Sequence, residues 1–420
     1  MSDAAGDINR AVAKLHERYG PVFAFGFGPL RFVWLVGAEA NRFVLEDAAA
    51  DLTLGRAYGF LRTIGGDSAL ITSDEPDHRR RRRLVQPAFH RAKLERLDTL
   101  IAARLEDLFA GFQDRTVDIY TELKQHLLSL ICEILLGERV RHSPLTADIA
   151  HMMAFANLPM PAQLFKVPLP GTPWANFTAA RRRADRALYS EIERRTAGLT
   201  SLDELEPGEL EPGEDVLGLL LAAKDESGRG LSAREVRDQA ISLVSAGFET
   251  TSAALTWAVY AVLESATLQR DLRDTLASAD EPPLLQHIVK ETLRLYPPAP
   301  IGLRQAARDL TYDGYPIPEG HFVAFSIYAT HRSEDYFENA QAFRPERWET
   351  LKPAPYSYLP FGAGTRYCIG AGLATRIVTL ALKLLFRSYR VAPAWSAPVQ
   401  EAGNTLHPKG GLKVTITRRR

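Results

Sequence analysis

A single cysteine near the carboxyl end of the chain has a setting that suits a metal ligand. Cys368 lies in the glycine-rich stretch 361–370, Phe-Gly-Ala-Gly-Thr-Arg-Tyr-Cys-Ile-Gly, and an apolar run of helical composition follows it. A thiolate just before a helix is stabilised by backbone N–H groups and by the helix dipole. Tight backbone bends and the close approach of a bulky planar group are allowed by Gly362, Gly364 and Gly370. A cysteine held in this way suits a haem iron ligand, because a thiolate donates electron density to iron and favours O–O cleavage.

A second polar cluster interrupts a long predicted helix. Residues of about 232–264 keep helical spacing, and Ser232 with Glu235 three positions later is typical of a capping box. Residues 246–251, Ala-Gly-Phe-Glu-Thr-Thr, place a glycine, an acid and two hydroxyls in the middle of this apolar run. Such a weak point could form a bulge that holds water and passes protons to bound oxygen. The alternative is a core helix that happens to contain glycine and threonine.

A third feature is a pair of opposite charges with apolar neighbours. Glu291 and Arg294 are three residues apart and therefore share a helix face. A pair at this spacing is usually a solvated bridge of little energetic value. The apolar flanks favour burial here, where a carboxylate needs more than one donor. Arg347 could supply the second guanidinium.

Composition excludes several classes of protein. The chain has 420 residues, of which 46% are hydrophobic and 24% charged, and 51 basic side chains balance 51 acidic ones. No overall charge therefore attracts nucleic acid or an acidic membrane. The two cysteines fit a reducing compartment rather than a disulfide framework. The chain shows no signal peptide or membrane anchor, so we expect a cytoplasmic protein without a membrane span.

The hydrophobic pattern predicts a mainly α fold with minor β structure. Residues from about 78 to 295 have mostly helical spacing. The acidic segment 199–215 is predicted to be a surface loop, and we expect one domain over 1–420. Short strands are predicted at Val22–Phe27, Phe32–Val36, His321–Ile327 and 411–417.

With these landmarks in this order, the chain resembles the cytochrome P-450 superfamily of haem-thiolate monooxygenases, of the soluble bacterial type. The stretch 361–370 fits the haem-binding signature at every fixed position, and 246–251 fits the oxygen-activating motif. Glu291 and Arg294 fit the Glu-x-x-Arg pair, and Arg347 fits the arginine that completes the family's triad. The resemblance covers nearly the whole chain. It implies the family's fold, with haem between the long central helix and the helix after the cysteine loop.

The resemblance also implies a role for each matching residue. Cys368 would be the proximal iron ligand of haem b (iron protoporphyrin IX). Thr250 would stabilise the activated oxygen, and Glu249 would help to relay protons. A purely structural role falls to Glu291, Arg294 and Arg347. The other residues expected around the haem are Phe361 beside the sulfur, Gly370, Ala246, and the propionate partners His78, Arg82, Arg304 and Arg366.

A run of arginines follows His78. His78 and Arg82 are four apart, so they share a helix face, which would be the one toward the haem. The remaining arginines would fan toward solvent, and some could form a docking face for an acidic partner: Arg79, Arg80, Arg81 and Arg83. An arginine run is otherwise typical of a solvated face or a nucleic-acid patch.

The candidate substrate-access lid, about 158–174, is apolar and rich in proline, with Lys166 its only charge. A lid of this kind predicts a lipophilic substrate such as a terpenoid, carotenoid or fatty acid, which would be hydroxylated or epoxidised with O2. The segment 58–69 would form a second wall, and there Arg62 could meet a carboxylate or point to solvent. Because the chain leaves no room for a fused reductase, we expect separate electron donors. These would be a ferredoxin and its reductase, or a flavodoxin.

Two further functions remain open at this point. A haem-binding protein without oxygenase turnover, such as a carrier, sensor or isomerase, would share the haem loop. A haem-free helical binding protein would require that the cysteine loop be a coincidence.

Overall fold

Helices make up most of the computed structural model, and the strands form small sheets, which confirms the mainly α fold class. The structure describes residues 7–27, 30–54, 57–141, 143–158, 162–163, 165–198, 215–395, 400–402 and 405–419.

Side-chain caps mark where several helices begin. Asp7 accepts hydrogen bonds from the N–H groups of the first turn, and Ser143, Asp215 and Ser265 do the same for later helices. The α-helices are Ile8–Tyr19 (α1), Ala38–Arg42 (α2), Gly59–Gly65 (α3), Asp77–Val85 (α4), Arg91–Glu95 (α5), Asp98–Ala110 (α6), Ile119–Leu136 (α7), Glu138–Arg141 (α8), Pro144–Ala156 (α9), Pro173–Gly198 (α10), Val216–Ala222 (α11), Ala233–Leu263 (α12), Ala266–Ser278 (α13), Pro283–Leu295 (α14), Ile327–Thr330 (α15) and Ala371–Ser388 (α16).

The strands lie mainly toward the two ends of the sequence. They are Val22–Phe27 (β1), Leu30–Leu35 (β2), Leu52–Thr53 (β3), Arg115–Asp118 (β4), Ile301–Ala306 (β5), Leu310–Tyr312 (β6), Tyr315–Ile317 (β7), Phe322–Ser326 (β8), Tyr389–Pro393 (β9), Gln400–Ala402 (β10), Leu406–Pro408 (β11) and Lys413–Arg418 (β12). The largest described sheet has the order β1-β2-β8-β5-β3, with β2 and β8 parallel.

The predicted amino-terminal hairpin is confirmed, since β1 and β2 pair antiparallel with Val22 opposite Leu35. Its turn, Gly28-Pro29, lies outside the described residues. The strand predicted near His321 is also confirmed as β8. Strand β4 was missed because it is short and mostly exposed, and only Val117 is buried.

The chain forms two compact units. Unit one contains Met1–Ala57, Asp98–Gln125 and Thr250–Arg420, and unit two contains Tyr58–Leu97 and His126–Glu249. In unit one, apolar side chains of the largest sheet form a buried cluster with those of α2. In unit two, α9 and α10 pack through stacked and tilted rings of Phe155, Trp174 and Phe177.

The long central helix α12 begins as the sequence predicts. The Glu235 N–H donates to Ser232 Oγ at 3.3 Å, and the Ser232 N–H donates to Glu235 Oε2 at 2.9 Å. This is the reciprocal arrangement of a capping box. The helix is α-helical throughout Ala233–Leu263, and the predicted bulge at 246–251 stays a prediction.

Some predicted segments lie partly outside the described residues. Of the acidic segment 199–215, the structure describes only Asp215. In the predicted lid, residues 159–161 and 164 are not described. Among the helices of the described ranges, none is long and apolar enough to cross a membrane.

Candidate functional site

Cys368 lies in a tight loop of unit one that leads directly into α16. A 3₁₀ turn at Gly364–Arg366 precedes it, and the Cys368 N–H donates to the Phe361 carbonyl at 2.9 Å. Helix α16 begins three residues later, so its first N–H groups are close in sequence to the thiol. Cys368 is exposed. The loop therefore holds the cysteine backbone firmly while the sulfur stays accessible.

Two of the three glycines in this loop are required by their backbone conformation. Gly362 and Gly364 have φ values of +70° and +65°, which side-chain-bearing residues rarely adopt. A Cβ at Gly364 would also lie only 2.6 Å from the Leu45 carbonyl oxygen. Gly370, by contrast, lies in the turn before α16 with φ −85°, which other residues can also adopt. A Cβ at Gly370 would lie 3.9 Å from the Cys368 sulfur, so glycine leaves space beside the thiol.

Two aromatic rings precede the cysteine in sequence and contact each other. The rings of Phe361 and Tyr367 meet edge to face at 6.4 Å between centroids. Burial, and then the neighbouring Cys368 charge, raise the pKa of the Tyr367 phenol. Tyr367 is therefore kept as a neutral neighbour of the thiolate.

The three charged residues predicted to be structural meet in unit one. Glu291 and Arg294 are fully buried and form two hydrogen bonds, 2.7 and 2.9 Å long. Arg347 donates Nε to the same carboxylate at 3.0 Å, as does Trp348 Nε1 at 2.9 Å. The Arg344 N–H adds a further bond at 2.9 Å. Because every donor converges on one carboxylate, this buried charge is well compensated.

His331 connects this cluster to Leu359, two residues before the cysteine loop, and the sequence pattern did not predict this contact. Its Nδ1 lies 3.0 Å from the Arg294 carbonyl, and its Nε2 accepts the Leu359 N–H at 2.7 Å. These partners fix the neutral tautomer with hydrogen on Nδ1. The side chain is fully buried, and burial lowers its pKa to about 3. The signal available in the sequence was a histidine directly before Arg332 in an otherwise irregular region.

The other predicted residues of unit one occupy separate elements. Arg304 lies on β5, is 7% exposed, and places its guanidinium 5.6 Å from the centroid of the Phe325 ring. Arg366 is half-buried in the 3₁₀ turn before Cys368. Thr250 is half-buried on α12 and is the first residue of unit one on that helix.

In unit two, His78 and Arg82 lie on one face of α4, as their spacing predicts. His78 is 2% exposed, and its Nδ1 lies 3.1 Å from Glu75 Oε1. The carboxylate acceptor selects the tautomer that carries its hydrogen on Nδ1, and the bond fixes the plane of the ring. Arg82 is half-buried.

The expectation that four arginines of α4 fan toward solvent is wrong for two of them. Arg80 binds Asp225 at 3.1 Å and Glu235 at 3.0 Å, and Arg81 binds Glu235 at 2.9 Å. Their side chains are only 17% and 12% exposed. No local sequence pattern indicates these partners, because they lie about 145–155 positions away. Arg79 and Arg83 are about two-thirds exposed, as expected.

Glu249, the acid of the central helix, has a partner that the sequence did not suggest. Asn157, at the carboxyl end of α9, donates Nδ2 to Glu249 Oε1 at 2.6 Å. Glu249 is 3% exposed, whereas Ala246, one turn earlier, is exposed. The amide therefore orients a buried carboxylate in the motif predicted to handle protons.

The described part of the predicted lid exposes apolar side chains. Phe165, Val167 and Leu169 are 73%, 40% and 62% exposed, respectively. Lys166 lies 5.1 Å from the centroid of the Trp174 ring. In the second predicted wall, Arg62 is partly buried and donates to the Thr72 carbonyl at 3.2 Å, so it does not simply point to solvent.

Comparisons with known proteins place the chain in a family. The model of the family described as cytochrome P450 matches residues 2–414. A Mycobacterium tuberculosis (strain H37Rv) relative bearing the name cytochrome P450 139 is 34% identical, over 97% of each chain. A Streptomyces avermitilis relative, pentalenene oxygenase, is 30% identical, over 87% of this chain and 83% of its own.

Solved structures show the same fold. The retinoic-acid-bound cyanobacterial P450 120A1 has a TM-score of 0.84 and 24% identity, over 97% of this chain and 93% of its own. Since the family model covers nearly the full length, the chain belongs to the cytochrome P450 family of haem-thiolate monooxygenases, which bind haem b.

Proposed function

We propose that this monooxygenase inserts one atom of O2 into a lipophilic substrate, such as a terpenoid, carotenoid or fatty acid. The carrying observation is the apolar lid segment, which keeps Phe165 and Leu169 exposed and has Lys166 as its only charge. Exposed apolar side chains that are grouped together, unlike single ones, mark ligand-binding grooves or interaction sites. The relative named pentalenene oxygenase supports oxygenase activity of this kind.

Cys368 is the proposed iron ligand. Its thiol is exposed, its N–H is held by the Phe361 carbonyl, and α16 begins directly after the loop. These features fit haem, because a thiolate donor, an open face and glycine at position 370 leave room for a planar ring. When bound, the haem supplies the O2 activation that amino-acid side chains cannot provide. Phe361 would pack beside the sulfur.

Four basic side chains are proposed to hold the haem propionates. His78 and Arg304 are buried, and Arg82 and Arg366 are half-buried, so each would bring its charge into a site of low polarity. The Glu75 carboxylate at Nδ1 holds the His78 ring in one orientation, in which it would be presented to a propionate. Glu291, Arg294 and Arg347 are proposed to stabilise the fold only.

Glu249 and Thr250 are proposed to deliver protons, and Ala246 to lie against the haem. Glu249 is buried, and the Asn157 amide orients it. Because this donor is neutral, Asn157 holds the carboxylate in one position without adding a positive charge beside it. Thr250 offers a hydroxyl on the next residue of the same helix. A carboxylate next to a hydroxyl is a suitable pair for proton relay.

The spectrum of the reduced protein with carbon monoxide tests the haem assignment. The wild type should give the strongly red-shifted Soret band of thiolate-ligated haem, and Cys368→Ser should lose it. Cys132→Ser is the matched control, because Cys132 is buried and burial raises its thiol pKa to about 12. Loss of the band in the control alone, or its persistence in Cys368→Ser, would overturn the ligand assignment.

Substrate titrations test the lipophilic class. Fatty acids, terpenoids and carotenoids should perturb the Soret band, and small polar molecules should not. Phe165→Ser should weaken binding by on the order of tenfold if the ring is buried against substrate. Tyr315→Ser, which alters an exposed aromatic residue of unit one, should leave it unchanged. Tight binding of polar molecules only would reject the proposal.

Electron donors are proposed to be separate proteins, a ferredoxin with its reductase or a flavodoxin. The exposed arginines of α4, Arg79 and Arg83, are the candidate docking residues, because Arg80 and Arg81 are occupied by acids within unit two. Arg79→Glu with Arg83→Glu should slow electron transfer from an acidic donor and reduce its salt dependence. Arg18→Glu is an exposed control in unit one. Unchanged rates in the double variant would reject this surface.

A further inference from the structure

A cleft in unit one carries positive charge that the haem chemistry does not use. It has a volume of about 330 Å³ and lies among α1, the end of α14, α15 and β10. Among the described residues, its lining contains three cations, Arg10, Lys14 and Arg332, and no carboxylate. The neutral lining residues are Ala13, Leu295, Tyr296, Tyr328, Gln341 and Gln400. None of the residues proposed above for haem, protons or docking belongs to it.

Arg332 is the central cation of this cleft. Its guanidinium lies 3.7 Å from the Tyr328 ring centroid and 5.9 Å from that of Tyr296. Its Nη1 is buried, and within the described part of the chain it has no hydrogen-bond partner. Two aromatic faces thus hold the planar group in place, and at least one strong donor is left unsatisfied.

Burial of this cation is costly without a counter-ion. The pKa of Arg332 is lowered to about 10, mainly because the guanidinium is buried and in part because the Arg294 charge repels it. The guanidinium still carries its charge at neutral pH, so desolvation is a real penalty in the folded protein. An anion in the cleft would remove part of that penalty.

The acid whose charge acts on Arg332 is already engaged. Asp7 attracts Arg332, but its carboxylate caps α1 through the Asn9 N–H at 3.0 Å and lies 3.2 Å from Arg10. Lys14 is exposed on the next turn of α1. The amide groups of Gln341 and Gln400 add neutral donors at the wall of the cleft.

We propose that this cleft binds a compact oxyanion, a phosphate or a carboxylate group, seated on Arg332 and assisted by Lys14 and Arg10. A planar guanidinium with an unused N–H donor matches the paired oxygens of both groups. The proposal is independent of the oxygenase substrate, since the cleft residues take no part in the haem assignments.

Thermal unfolding of the haem-loaded protein tests the proposal. Sodium phosphate and sodium acetate are titrated separately, each against sodium chloride at equal ionic strength. A ligand that binds only the folded state raises the melting temperature with a saturable dependence on concentration, here by on the order of 2 °C. A saturable response to phosphate alone identifies a phosphate site, and a response to acetate identifies a carboxylate site.

Variants separate binding from general salt effects, because excluded salts stabilise every variant alike. Arg332→Gln should lose the saturable response, whereas Arg390→Gln, at an exposed position of β9, should keep it. Lys14→Gln changes only an exposed side chain and should weaken the apparent affinity several-fold, so it provides the test should Arg332→Gln not fold. Equal responses to chloride and to both oxyanions, or a wild-type response in Arg332→Gln and Lys14→Gln, would overturn the proposal.

Discussion

Acid should destabilise this protein through one buried histidine. His331 has no exposed surface and is neutral in the folded state, since its Nδ1–H faces the Arg294 carbonyl and its Nε2 accepts the Leu359 N–H. A second proton would place an N–H against an N–H at Leu359. Burial accordingly lowers the pKa of His331 to about 3.

The sign and size of the effect follow from this shift. The unfolded imidazole, with a pKa of about 6.5, binds a proton as the pH falls, and the folded one does not. The contribution of neutral His331 to stability is therefore complete above about pH 6.5 and is lost progressively toward pH 3. At about pH 5 the loss amounts to RT ln(1 + 10^1.5), or about 2 kcal/mol.

Denaturant unfolding of the wild type and of His331→Gln, at about pH 7.5 and about pH 5, measures this contribution. Glutamine retains a donor and an acceptor but does not titrate, so the variant should lose about 2 kcal/mol less than the wild type between the two pH values. His90→Gln, at an exposed position, should follow the wild type. An equal loss in His331→Gln and the wild type would refute the reasoning. His331→Asn offers the same comparison in a second background.

Three further substitutions test the site. Glu291→Gln should cost about 3–5 kcal/mol of unfolding free energy, because it leaves buried guanidinium groups without their counter-ion. Glu346→Gln, at an exposed position, should cost less than about 1 kcal/mol, and equal losses in denaturant unfolding would contradict this. Gly364→Ala should lower the melting temperature far more than Gly314→Ala. Both glycines have positive φ, but only a Cβ at position 364 would lie against a backbone oxygen. Equal shifts in melting temperature would show that no clash occurs. Asn157→Ala should leave the carbon monoxide spectrum intact while more reductant is consumed per product formed, and unchanged coupling would exclude a positioning role.

The sequence predicted those features that local chemistry determines. The capping box at Ser232 and Glu235, the amino-terminal hairpin and the charged pair at Glu291 and Arg294 each depend on spacings of a few residues. The cysteine loop was likewise found from its own residues, which are close together in the chain, and the family resemblance then supplied the roles of the residues around it.

Contacts between distant positions could not be predicted in the same way. Asn157 reaches Glu249 across 92 positions, and Arg80 reaches Glu235 across 155. The local pattern around Asn157 is that of an ordinary helix end, because the contact of the amide with Glu249 forms only in the tertiary fold. The arginine run was likewise interpreted as solvated, which is the common case for such runs.

One carboxylate, that of Glu235, ties the start of α12 to the arginine helix α4. It closes the capping box at Ser232 and also binds Arg80 and Arg81, and these contacts together hold its pKa below the usual range despite partial burial. Helix ends normally fray, because their last hydrogen bonds are few and exposed to water. Here, opening the first turn of α12 would also release two guanidinium groups, so the two helices belong to one cooperative unit of local unfolding within unit two.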